Sequence, residues 1–62
     1  MKLIKMTDPN DSDVHVNAAQ ITHVESVGDD RFRIHFVGGG SVLVLSKIGN
    51  TIEDLLSRIE AL

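Results

Sequence analysis

Apolar and polar residues alternate most clearly over residues 31–36, where Phe32, Ile34 and Phe36 fall on one side of an extended chain and Arg31, Arg33 and His35 on the other. Successive side chains of a strand point to opposite faces, so this segment predicts a strand with one face inward and one toward solvent. Gly38-Gly39-Gly40 follows and supplies the positive backbone angles of a hairpin turn, with Val42-Leu43-Val44-Leu45 as the returning strand. That strand is apolar on both faces. If Val42 and Val44 point inward, Leu43 and Leu45 project from the opposite side.

Upstream, Leu3 to Met6 is a short apolar run broken by Lys5, and Thr7-Asp8-Pro9-Asn10-Asp11-Ser12-Asp13 is a dense set of turn formers. Val14-His15-Val16 alternates again, which predicts an antiparallel pair closed by that loop. Asn17-Ala18-Ala19-Gln20 is too short for a stable helix and reads as one helical turn or a tight bend behind a capping asparagine. A strand resumes from Ile21 to Val27. Its apolar residues Ile21, Val24 and Val27 stand three apart, which predicts a bulge or an end twist, and Gly28-Asp29-Asp30 forms the next turn.

After Ser46-Lys47-Ile48-Gly49 the period changes. Ile52, Leu55, Leu56, Ile59 and Leu62 recur at helical spacing, while Glu53, Asp54, Ser57, Arg58 and Glu60 fill the other face. Asn50 followed three residues later by Glu53 has the form of a capping box and marks the expected start of the helix. The expected fold class is therefore α+β: one small antiparallel sheet of four to five strands followed by one C-terminal amphipathic helix that covers a sheet face. Residues 1–62 form a single domain with no internal repeat or linker.

A chain of 62 residues buries only about 60% of the surface that it exposes when unfolded, so its core needs supplementing. It has no cysteine, which excludes disulfides and thiolate zinc sites and suits a reducing compartment. Nine acidic residues against six basic ones give a formal charge of −3, which makes nucleic acid or an anionic membrane a poor main partner and a protein a better one. No apolar run reaches membrane-spanning length, and the first residues lack the apolar stretch of a secretory signal. The expected location is the cytoplasm, with no membrane insertion.

Candidate chemistry is sparse. His15, His23 and His35 each fall in an expected strand, on faces opposite the apolar ones, and Glu25 joins His23 there; three imidazoles, or two and a carboxylate, are a conceivable metal site, but the spacing follows no metal motif. Asp8, Asn10, Asp11, Ser12 and Asp13 alternate oxygen ligands like a calcium loop. That loop would require glycine at Asp13 and glutamate at Ala19, so a solvated turn is expected. The three glycines precede a strand rather than a helix, so they do not form a phosphate loop. Ser26, Ser41, Ser46 and Ser57 sit in no nucleophile-elbow sequence, and so small a chain has little room for a substrate pocket. A non-enzyme without catalytic residues, cofactor or resident metal is expected. Arg31, Arg33 and His35 make the basic stripe of the chain.

From Asn17 onward, the order Asn17-Ala18-x-x-Ile21, an apolar segment toward Glu25 and Ser26, two further strands and a C-terminal amphipathic helix resembles the FlbD/SwrD family of small flagellar and swarming-motility proteins. The first hairpin loop and the approach to the helix are longer here than in that family. The same order is similar to the β-rich core of LytTR DNA-binding domains, without their downstream DNA-contacting segments and basic surface. The first resemblance implies a cytoplasmic, non-catalytic accessory acting through protein contacts.

The expected function is accordingly a small protein-interaction module, with a flagellar or motility setting implied by the resemblance. The alternatives are a nucleic-acid-binding or regulatory module that uses Arg31, Arg33 and His35, and a phage- or plasmid-borne inhibitor of a larger protein. One helix covers only one sheet face, so Leu43, Leu45 and, if Ile4 and Met6 point inward, Leu3 are surplus apolar surface. A homo-oligomer, most simply a twofold dimer with the last strand at or near its interface, would bury them.

Overall fold

The computed structural model describes residues 2–62. Five strands, β1 (Leu3–Thr7), β2 (Asp13–Asn17), β3 (Ile21–Ser26), β4 (Arg31–Phe36) and β5 (Ser41–Leu45), precede one helix, α1 (Ile52–Glu60). All strand pairs are antiparallel, and the fold is α+β. The strands form two sheets rather than the single expected one: β1 pairs with β2, and β3-β4-β5 form a three-stranded meander.

The inner faces of the two sheets meet each other and α1. Ile4, Met6 and Val16 come from the first sheet, Phe32, Ile34 and Val44 from the second and Leu55 from α1; all are buried. Val14, Ala18, Ile21, Val24, Phe36, Val42, Ile52 and Ile59 pack around them. The strict alternation in β4 thus carries through to packing, with Phe32 and Ile34 buried and Arg31 and Arg33 outside.

Between β2 and β3 the chain makes a 3-10 turn, Ala18–Gln20, because the Asn17 side chain accepts a hydrogen bond from Ala19 N at 3.1 Å. The expected bulge follows. Ile21 pairs with Phe36 and His23 with His35, so Thr22 is an extra residue in β3, and the three-apart spacing of Ile21 and Val24 still places both on the core. The β4–β5 hairpin uses positive φ at Gly38 and Gly39, as its glycine run requires.

The start of the helix differs from expectation. The helix is capped by Thr51, not Asn50: Thr51 Oγ1 accepts from Asp54 N at 3.1 Å, and the Asp54 carboxylate accepts from Thr51 N at 2.9 Å. Asn50 is freed for the seam between the sheets, where it is 4% exposed. Its Oδ1 accepts from Thr7 N at 3.0 Å, and its Nδ2 donates to Thr7 O at 3.1 Å and to Leu45 O. The Asn50 side chain thus bridges the ends of β1 and β5, which belong to different sheets.

Arg58 works on the same seam from the helix. One guanidinium nitrogen donates to Lys5 O at 3.0 Å and lies 3.1 Å from Met6 Sδ, and the other donates to Gly49 O at 2.6 Å. Placing Arg58 on the solvent face of the helix is therefore corrected. Leu56 and Leu62 are corrected as well: they are 49% and 54% exposed, and the inward stripe narrows to Ile52, Leu55 and Ile59.

Candidate functional site

The outer face of the β3-β4-β5 sheet gathers most of the residues that composition and alternation single out. Across β3 and β4, His23 stands opposite His35 and Glu25 opposite Arg33; across β4 and β5, Arg31 stands opposite Leu45 and Arg33 opposite Leu43. The bulge at Thr22 brings His23 into line with His35. The two rings stack, with centroids 4.2 Å apart and planes 8° from parallel. His35 Nε2 also donates to Glu25 Oε1 at 2.6 Å, and Thr22 Oγ1 donates to His35 O at 3.3 Å and lies 3.1 Å from His23 Nδ1.

The hydrogen bond from His35, aided by the charges of His35, Arg33 and His23, holds the Glu25 carboxyl below its ordinary range. Asp54 is likewise held down, first by the Thr51 backbone N–H and then by the Thr51 hydroxyl. A carboxyl lowered in the folded state binds protons more readily when unfolded. Its stabilising contribution is therefore complete above the ordinary carboxylate range and is lost as pH falls through the lowered folded value. Urea midpoints should fall on acidification below about pH 4.5, near the ordinary carboxylate pKa, and should fall less steeply for Glu25→Gln. Equal slopes for the two proteins would show that the Glu25–His35 bond makes no difference in solution.

His15 belongs elsewhere, exposed on β2 opposite Lys5 in the other sheet. The three histidines do not converge, and among the described residues no group of three or more histidine, aspartate or glutamate side chains is placed to hold a metal ion. The Asp8 to Asp13 loop directs its first carboxylate inward: Asp8 Oδ1 accepts from Asn10 N at 3.0 Å and from Ser12 N at 2.9 Å. Asp11 is engaged by Lys47 Nζ at 3.0 Å. The oxygen cluster of the sequence is a self-bonded turn tied to the approach to α1.

Leu43 and Leu45 are half-buried on the outer face, beside the arginines that oppose them. Leu3 is 53% exposed and lies in a different place. It lines an open groove of about 340 Å3 with Ile4, Lys5, Arg58 and Leu62, at the edge of β1 near the end of α1. The Glu25–His35 pair has no part in that groove. The six candidate contact residues thus fall on two surfaces: Arg31, Arg33, His35, Leu43 and Leu45 on one and Leu3 on the other.

Asn50 and Arg58 are the residues that matter most beyond those expected. Their farthest partners, Thr7 and Lys5, lie 43 and 53 positions away, far outside any local motif. Two adjacent pairs, Asn50 with Glu53 and Thr51 with Asp54, both fit a capping box, and that duplication is the one signal that Asn50 was free for another task.

No family model, curated protein or solved structure matches the chain. Among the described residues, no helix is long and apolar enough to cross a membrane.

Proposed function

We propose that this chain is a small, non-catalytic protein-interaction module of the cytoplasm, an accessory of flagellar or motility machinery that also associates with itself. The observation that carries the reading is the outer face of the three-stranded sheet. Among the described residues no helix packs on it, and it sets the half-buried Leu43 and Leu45 beside Arg31 and Arg33, the mixture of apolar and arginine surface that suits a protein contact. Leu3, Leu56 and Leu62, each about half exposed, add apolar surface at the groove and along the helix. The motility setting is supported by the family resemblance from Asn17 onward.

A catalytic role would need the Glu25–His35 pair to orient a nucleophile beside a substrate pocket, and the groove is lined by neither residue. A nucleic-acid role for Arg31, Arg33 and His35 would work against a chain whose formal charge is −3. The test is capture of partners from extract of a motile source cell on immobilised wild-type protein and on Leu43→Lys, with a swarming assay of the deletion. Recovery of a flagellar or motor component that Leu43→Lys loses, with reduced swarming, is the expected result. Full swarming and no such component would overturn it.

A further inference from the structure

Two exposed surfaces of this chain carry opposite charge around an apolar centre. The first is the outer sheet face. Arg31 has a carboxylate no nearer than Asp30, at 3.9 Å, with both side chains well exposed. Arg33 stands opposite Glu25, whose carboxylate is bonded to His35 instead, so Arg33 makes no ion pair of its own among the described residues, and its Nε is buried without a hydrogen-bond partner. Leu43 and Leu45 lie next to these arginines in the register.

The second surface is one flank of α1. Successive residues of a helix advance by about 100°, so Leu56, Glu60 and Glu53 share an arc of about 60°, to one side of the buried Ile52–Leu55–Ile59 stripe. Asp54 and Arg58 lie on the other flank, where Thr51 and the β1 seam engage them. Leu56 is about half exposed, and Glu53 and Glu60 are exposed and make no ion pair among the described residues.

Glu53 and Glu60 stand about 10 Å apart along the helix axis, and Arg31 and Arg33 about 7 Å apart along β4, a difference that the long arginine and glutamate side chains span. From this complementarity we infer that the Leu56 flank of α1 in one copy docks on the outer face of β4 and β5 in the next, with Leu56 over Leu43 and Leu45 and Glu53 and Glu60 against Arg31 and Arg33. This deepens the interaction-module reading and rests on it. Because α1 packs on the inner side of the sheet, the two surfaces face different ways on each copy. The contact is heterologous, so association continues head to tail instead of stopping at an isologous dimer. A second copy is the chosen occupant because this chain itself carries the acidic, apolar helix that the basic sheet face lacks.

Sedimentation velocity on the full chain, from about 10 µM to about 1 mM, tests the mode of association. The mean mass should climb past that of a dimer with concentration and fall back when about 0.5 M salt is added. Arg33→Glu and Glu60→Lys should each weaken association by at least about tenfold, and an equimolar mixture of the two should recover it, since each then meets a partner of opposite charge. Glu60 lies outside the capping box, and unchanged circular dichroism of both variants confirms their folding. A wild type that stays monomeric throughout, a dimer indifferent to Glu60→Lys, or duplex DNA bound by wild type and lost in Arg33→Glu would overturn the inference. A monomeric wild type that still captures a motility component would remove the head-to-tail contact and leave the interaction-module reading standing. Head-to-tail assembly without such a component would do the reverse.

Discussion

Asn50→Ala is expected to cost about 3 kcal/mol of folding stability, enough to leave a domain of this size largely unfolded at room temperature. The side chain is buried and makes three hydrogen bonds, one accepted from Thr7 N and two donated to Thr7 O and Leu45 O. Alanine leaves those three backbone groups without partners at the seam. Each buried group so orphaned costs about 1 to 3 kcal/mol, reduced where water enters, and a core this small supplies only about 3 to 5 kcal/mol. Asn50→Asp should be nearly as damaging: it keeps the acceptor for Thr7 N but turns a carboxylate toward two carbonyl oxygens. Urea unfolding followed by circular dichroism reads both. A loss below about 0.5 kcal/mol for alanine would mean that the β1–β5 seam closes without this residue.

Leu55→Ala should be comparably severe and Leu56→Ala nearly silent, although the two leucines are neighbours on one helix. Leu55 is fully buried among side chains of both sheets, and trimming such a leucine costs about 2 to 5 kcal/mol through lost transfer energy and the cavity left behind. Leu56 is 49% exposed, so its truncation should cost less than about 1 kcal/mol in the isolated chain. Thermal melts of the two variants at low concentration give the comparison. Similar losses would show that α1 sits on the sheets in a different rotation, and the Leu56 flank would no longer be available as a contact surface.

Much of this fold is legible in the sequence because its signals are local. Phe32, Ile34 and Phe36 state their face by a period of two, and the three-apart spacing of Ile21 and Val24 becomes a bulge at Thr22. The glycine run, the Asn17 turn and the helical repeat at Ile52, Leu55 and Ile59 are read in the same way. What eludes such reading depends on pairs distant in the chain. Asn50 looks like a helix cap because capping rules see only the next three residues, and nothing near it shows that Thr7 will be its partner. Arg58 looks solvated for the same reason, and Leu56 and Leu62 look buried because the periodic stripe is wider than the surface available to cover it.

The candidate site was partly legible. Strand parity alone places Arg31, Arg33 and His35 on one face, and Glu25 and His23 on one face of β3. Their meeting depends on the β3–β4 register, which the extra residue at Thr22 sets and no composition rule supplies. His15 alternates just as cleanly as His35 but lands in the other sheet, because alternation gives a face within a strand without saying which strands share a sheet.

The central claim, that the uncovered sheet face and the Leu56 flank of the helix are contact surfaces, is tested most directly by 1H–15N correlation spectra of the wild type at rising concentration. Shifts or broadening concentrated at Arg31–His35, Ser41–Leu45 and Glu53–Glu60, with the amides of β2 around His15 unaffected, are the predicted result. Spectra unchanged up to about 1 mM, or changes confined to the Leu3–Leu62 groove, would contradict it.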